Sequence, residues 1–208
     1  MEIYYTMNYI FVILGVVVVV ALYFLYVYLT NDSLSSGIQD LKVPKDTEAK
    51  KLKSPGSQIF SYQFWVFLTQ PVSSTESSVI LKRTDGTNTN FKIEIKGTVM
   101  TIKNGSTSLF KATNNFPIQK WTYVVVNYND SNRLMECYIN GKLVYTQQVD
   151  ANKVTFTASN KLTVGDSAAK GYITKVVYLP EVLSSDTVWS NYLQGNGQLS
   201  ISSYFAGY

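Results

Sequence analysis

Histidine is missing from all 208 residues, which rules out Ser-His-Asp and Cys-His catalysis and removes the commonest transition-metal ligand. The groups left to do chemistry are carboxylates, one thiol and aromatic rings. Retaining glycoside hydrolysis needs an acid and a nucleophile about 5 Å apart, so two carboxylates must be held close together. The strand carboxylates Glu94 and Glu136 are instead isolated among Lys, Ile or Cys. Calcium is served by backbone carbonyls with one or two carboxylates. Three loops carry such a set: 84–90 with Asp85, 127–132 with Asp130, and Gly165–Asp166. Asp-Gly and Asn-Asp are also ordinary turn formers, and that reading takes precedence here. Trp65, Trp121 and Trp189 offer faces for stacking on sugars, but at strand and helix positions of regular period such rings more often fill a core. Cys137 is the one cysteine, so it forms no internal disulfide; mid-strand, it reads as a small buried hydrophobe. No catalytic, cofactor-binding or metal-binding set emerges, and the chain reads as non-enzymatic.

The elements that would position these groups are strands. From Gln58 the period is two: Phe60, Tyr62, Phe64, Val66 and Leu68 alternate with Ser61, Gln63, Trp65 and Phe67, as in a strand covered on one face and partly on the other. Short strands follow at 79–82, 91–96, 99–103, 108–112, 121–128, 134–139, 143–145, 162–164 and 172–178, with turns every few residues. Asn140–Gly141 between two apolar runs predicts a two-residue type I′ hairpin, because both residues tolerate positive φ. One amphipathic helix is expected after Leu183–Ser184–Ser185–Asp186, with Val188, Trp189, Tyr192 and Leu193 on its apolar face and Gly195 ending it. Many short strands with almost no helix point to an all-β, antiparallel two-sheet sandwich spanning 58–198.

Two further segments precede it. Tyr9 to Leu29 is almost wholly apolar, and its 21 residues span roughly 31 Å as a helix, close to the hydrocarbon thickness of a bilayer. Tyrosines cluster at both ends, as in interfacial belts. A cleaved secretory signal is the competing reading. It needs a basic n-region and small residues at the cleavage site, whereas Glu2 stands at the start and Ala21 is followed by Leu-Tyr-Phe. Residues 1–30 are therefore expected as an uncleaved anchor holding membrane lipid through 9–29. Lys42 and Lys45 beyond it lean toward a cytosolic location for the rest of the chain. Residues 31–57 turn polar, with Pro44 and Pro55, and are expected as a tether in which 46–53 could form a short helical turn. The tail 199–208 (LSISSYFAGY) is apolar and Tyr-rich, expected to add a strand or dock on a partner. Asn31, Asn104 and Asn129 begin Asn-x-Ser sequons that arise easily by chance in so Asn- and Ser-rich a chain. Net charge is +4 without a basic block, so a nucleic-acid partner has no support.

The stretch from Trp121 through Leu143–Val144 (WTYVVVNYNDSNRLMECYINGKLV) resembles the laminin-G-like, concanavalin A-like lectin/glucanase superfamily. Gly171 to Val188 resembles its closing strand and helix start, and Phe60 to Leu68 its opening strand. The resemblance covers about residues 58–195 and implies a jelly-roll sandwich whose rim loops, in some members, bind glycans, calcium or proteins. The glucanase carboxylate pattern Glu-x-Asp-x-x-Glu is not present, nor are the histidine and acids of the metal sites in plant relatives. The layout of anchor, spacer, sandwich and apolar tail is similar to that of minor capsid proteins of large DNA viruses with an internal membrane. That implies a structural link from a bilayer to neighbouring shell or capsid proteins, in a virion inner membrane beneath the capsid, with the domain on the cytosol-derived side. The alternative is a lectin-like receptor for glycan or protein on a cell or virion surface.

Overall fold

Period-two runs after Ser57 fold as strands, and their pairing turns alternation in sequence into an inner and an outer face. The computed structural model describes residues 2–29, 33–35, 37–73, 75–150 and 153–196. It divides the chain into two units, Met1–Asp32 and Ser33–Tyr208. The first is one helix, α1 (Glu2–Leu29). Its stretch Tyr9–Tyr26 is long and apolar enough to cross a membrane, and none of it is buried.

The second unit is built on twelve strands: β1 (Gln39–Asp40), β2 (Lys45–Thr47), β3 (Ile59–Leu68), β4 (Ser78–Thr84), β5 (Thr89–Lys96), β6 (Val99–Asn104), β7 (Thr107–Thr113), β8 (Thr122–Asn129), β9 (Leu134–Ile139), β10 (Lys142–Gln148), β11 (Lys161–Val164) and β12 (Gly171–Leu179). A single described helix follows, α2 (Ser185–Leu193). One sheet runs β1-β12-β3-β8-β9-β10 and the other β2-β11-β4-β5-β6-β7, with every pairing antiparallel. The expected all-β two-sheet jelly-roll sandwich is the architecture found. Between the sheets lies one core, in which Phe60, Tyr62, Phe64, Val66 and Leu68 of β3 meet Phe91, Ile93 and Ile95 of β5. The Asn140–Gly141 hairpin has φ of +51° and +77°, as a type I′ turn requires.

The segment expected as a tether is not one over the residues described. Ser33 bridges to Val177, β1 pairs with β12, and β2 pairs with β11, so residues 33–57 add a strand to the edge of each sheet. Leu41 is fully buried and Leu52 nearly so, each an isolated apolar residue in a polar stretch that finds a place in the common core. Gly165, with φ of +91°, lets the β11 end pass so close to the Leu41 carbonyl that any Cβ would collide with it. The expected helical turn within 46–53 is a short 3₁₀ turn at Ala49–Lys51. Residues 30–32 alone separate α1 from Ser33. The tail 199–208 and the sequon at Asn31 lie outside the described residues.

Candidate functional site

Strand register decides which side chains share the outer face of the β1–β10 sheet. Antiparallel partners point the same way, so Trp65 of β3 stands beside Tyr123 of β8 and Thr174 of β12, and Phe67 stands beside Tyr172 of β12. Gln63 and Val125 form the row before, Ser61, Asn127 and Glu136 the row before that. The result is a band of side chains running from polar at one end to aromatic at the other.

Helix α2 covers the first part of this band. Ser184 caps it by accepting the Thr187 N–H at 3.2 Å. Val188 is buried in a second apolar cluster with Trp65, Tyr123, Val125, Tyr138 and Leu183, and the Tyr192 ring stacks on Trp65 at 5.7 Å. Under the helix N-terminus, Asn127 Nδ2 donates to the Leu183 carbonyl at 2.8 Å, and Ser61 Oγ accepts the Leu183 N–H at 3.1 Å. Gln63 Oε1 accepts from Tyr123 OH at 2.5 Å and from Asn191 Nδ2 at 3.1 Å. Burial pushes the Tyr123 hydroxyl up to about 12. These groups are spent on holding the helix. Of the apolar helix face expected from sequence, Val188 is buried and Tyr192 half-buried, but Trp189 is 43% and Leu193 65% exposed. Trp189 rests instead on the hairpin turn, where a Cβ at Gly141 would come within 2.6 Å of its ring.

Beyond Trp65 and Tyr123 the helix gives out. Phe67 and Trp121, with ring centres 5.7 Å apart, line a shallow depression of about 240 Å³ together with Ile38 and Tyr172. Ile38 is 51% and Tyr172 43% exposed. Apart from the Tyr172 hydroxyl and the Trp121 indole N–H, these four side chains present only apolar rings and an alkyl group. Such a surface can receive an apolar partner group, and it brings no carboxylate, imidazole or thiol that could serve as an acid, a base or a metal ligand.

The other candidates serve structure. Glu94 lies on the outer face of β5 in the opposite sheet from Glu136, so the two carboxylates stand on different sides of the sandwich and form no catalytic pair. Burial would raise the Glu94 carboxyl, but its ion pairs with Lys103 and with Lys92, the latter at 2.9 Å, outweigh that and hold it below the usual carboxylate range. Glu136 accepts from Tyr138 OH at 3.1 Å and Asn127 Nδ2 at 3.3 Å. Asp85 accepts the Asn88 N–H at 3.0 Å and Asp130 the Tyr128 hydroxyl at 2.9 Å, both within their own turns, while Asp166 accepts the Val79 N–H of β4 at 3.3 Å, so all three have structural roles. Among the described residues no three of His, Cys, Asp and Glu gather as a metal site would require. Cys137 is buried and unpaired, and burial drives its thiol pKa far up, so it is no nucleophile. Trp65 is buried, and only Trp121 of the three tryptophans belongs to the depression. Sequence reasoning did not pick out Ile38, Phe67 and Tyr172. The parity of Gln63, Trp65 and Phe67 along β3 was the available signal for one of them.

Comparison with known proteins agrees with this architecture. A model of the concanavalin A-like lectin/glucanases superfamily matches residues 44–189. No curated protein matches the sequence. Among solved structures, the binding domain of botulinum neurotoxin DC in complex with rat synaptotagmin II superposes with a TM-score of 0.53 at 19% identity over 66% of this chain. The same toxin's binding domain in complex with SialylT gives 0.54 at 20% identity, again over 66%. A mutant form of HCR/D gives 0.60 at 16% identity over 76% of this chain. The matches span 36%, 36% and 41% of those longer chains, and at such identity the likeness is one of fold. The chain belongs to the concanavalin A-like lectin/glucanase superfamily, as its residues from Trp121 to Val144 had suggested.

Proposed function

We propose that this is a non-enzymatic, membrane-anchored docking protein, in which α1 sits in a bilayer and the outer face of the sandwich receives an apolar segment of a neighbouring protein. The observation that carries the reading is the cluster of Ile38, Phe67, Trp121 and Tyr172, which lies beyond the part of the sheet face that α2 covers and which α2 leaves open. A sugar ring stacks on an aromatic face but also needs partners for its several hydroxyls, and the side chains of this cluster offer one tyrosine hydroxyl and one indole N–H. An apolar protein side chain asks only for what the cluster has, and aromatic anchors of this kind dominate protein interfaces. The layout resembling viral minor capsid proteins makes a shell protein the partner, and Lys42 and Lys45 favour the cytosol-derived side for the sandwich.

Cross-linking mass spectrometry on the native membrane or particle tests this, read from Lys42, Lys120 and Lys170, which flank the cluster in sequence. Recurrent links to one or two abundant proteins, lost in Trp121→Ala, are expected; links only within the chain would contradict the docking reading. A glycan array supplies the alternative: sugar binding abolished by the same substitution would make this a lectin. Anchoring is checked separately by intact mass. Retention of residues 1–29 in the membrane fraction supports an anchor, and their loss would reveal a cleaved signal.

A further inference from the structure

We propose that the free edge of β10 pairs with β10 of a second copy of this chain, antiparallel about a twofold axis at Thr146, so that two sandwiches share one continuous sheet. This edge is at the far end of the sheet from β1 and takes no part in the aromatic cluster, so the pairing stands apart from the docking function. An edge strand leaves a row of backbone N–H and C=O groups open to another chain. Of the edges of the two sheets, β1 and β2 are only two and three residues long. β7 carries the exposed Lys111, and its pairing with β6 slips twice, between Met100 and Thr101 and between Ile102 and Lys103. Shortness, charge and bulges are the ordinary devices that keep an edge from recruiting a partner. β10 lacks them from Tyr145 to Gln148. All seven of its residues are exposed, including Leu143, Val144 and Tyr145. Its one bulge, at Val144, sits near the turn and leaves Tyr145 to Gln148 in regular register with β9. The Tyr145 ring stacks flat on Phe110 of β7 at 5.2 Å, which holds the strand against the sandwich.

Charge names the occupant. Lys142 and Asp150, both exposed, bracket an uncharged run from Leu143 to Val149, and neither joins an ion pair among the described residues. Such a run is complementary to itself when reversed. A twofold axis at Thr146 sets Lys142 of each copy beside Asp150 of the other, so an opposite-charge pair closes each end of the seam. Between them Tyr145 faces Gln147 and Thr146 faces its own copy, and no like charges meet. A second copy meets this pattern by symmetry, at both ends at once. One strand pair is a smaller contact than the roughly 1,200–2,000 Å² of stable complexes. The pair is therefore expected to be weak in dilute detergent and populated at the density of copies in a membrane. That last expectation rests on α1 as an anchor, which flotation of the chain with vesicles checks separately.

Disulfide cross-linking of the full chain in lipid vesicles tests the seam. Opposed residues of an antiparallel pair lie about 4.5–5.5 Å apart at Cα, within disulfide reach. Thr146→Cys is therefore expected to form dimers at least about ten-fold faster than Lys142→Cys, whose two copies stand about eight residues apart along the seam, roughly 26 Å. Lys111→Cys on β7 measures chance collision and is expected to match Lys142→Cys. The buried Cys137 stays unreacted while the sandwich is folded and so reports the fold of each variant. Lys142→Asp is expected to slow the Thr146→Cys link several-fold, and adding Asp150→Lys to restore it. Should Thr146→Cys disturb the fold, Lys142→Cys and Asp150→Cys on separate copies give the same test, linking to each other and not to themselves. Linking at Thr146→Cys no faster than at Lys111→Cys would overturn the proposal, and equal linking at Thr146→Cys and Lys142→Cys would overturn the antiparallel register. A link from Thr146→Cys to a different protein in the native membrane would overturn it too, by placing an extended segment of that protein on the edge.

Discussion

Replacing Arg83 by methionine is expected to cost less stability than replacing it by lysine, although lysine keeps the charge. Arg83 is fully buried on the inner face of β4, and no carboxylate pairs with it among the described residues. Its guanidinium donates to Tyr62 OH at 3.0 Å and to the Pro55 carbonyl at 2.8 Å, and its Cζ lies 4.5 Å from the Phe156 ring centre and 5.4 Å from that of Tyr178. Nε finds no partner. Two hydrogen bonds from a charged donor contribute about 1.5–3 kcal/mol each, and the rings about 2 kcal/mol more. Against them stands the desolvation of a lone cation, several kcal/mol even after relaxation. The charge therefore roughly breaks even, and the net contribution lies in the apolar stem, about 0.8 kcal/mol per buried methylene. Methionine keeps most of that stem and sheds the desolvation, for a loss of up to about 2 kcal/mol. Lysine retains a buried charge, loses the fork that reaches two acceptors and stacks poorly on the rings, for a loss of about 3–5 kcal/mol. Urea unfolding followed by tryptophan fluorescence in detergent solution compares them. A lysine variant as stable as the methionine one would refute this accounting and imply an anion near Arg83.

Further consequences follow from the same packing. Gly141→Ala forces a side chain into a left-handed turn and against the Trp189 ring, and is expected to cost about 1–2 kcal/mol and to loosen α2, measured as a lower melting temperature with raised Trp189 accessibility. Cys137 should resist thiol reagents until the sandwich unfolds, so that its labelling rate reports global opening; rapid labelling of the folded chain would show that the strand opens locally. Burial holds the Tyr123 and Tyr138 hydroxyls up to about 12, against about 10 in an unfolded chain. The folded state keeps protons that the unfolded state releases, so stability is full below pH 10 and falls between pH 10 and 12, seen as unfolding coincident with tyrosinate absorbance. Glu94 has the opposite sign: its depressed carboxyl stabilises the fold above about pH 4.5 and that contribution is lost as pH falls, so Glu94→Gln should flatten the acid limb of a stability curve.

The strands with a visible period were legible because both of their faces had a consistent fate. Phe60 to Leu68 alternates, and the structure explains why Trp65, on the outward row, is nonetheless a large buried ring: α2 covers it. β1 and β2 escaped notice because strands of two and three residues are too short to show a period. Neither strand buries a residue of its own, and the buried Leu41 between them stands alone among Asp, Lys and Pro. The candidate site was hidden for a related reason. Ile38, Phe67, Trp121 and Tyr172 come from four separate stretches and meet only through the β1–β12–β3–β8 pairing, which sequence alone does not order. Trp121 could be named as a ring of interest, but its neighbours could not. Trp189, equally conspicuous in sequence, turned out to rest on a turn beside an exposed helix end.

That pair of tryptophans allows the most direct test of the docking claim. The affinity of the cross-linked partner is to be measured for the full chain in nanodiscs and for Trp121→Ala and Trp189→Ala. An aromatic anchor at an interface centre is worth about 2 kcal/mol or more, so Trp121→Ala is predicted to weaken binding by roughly 30-fold, with Trp189→Ala close to wild type. Binding that survives loss of Trp121, or that depends on Trp189 instead, would contradict the account.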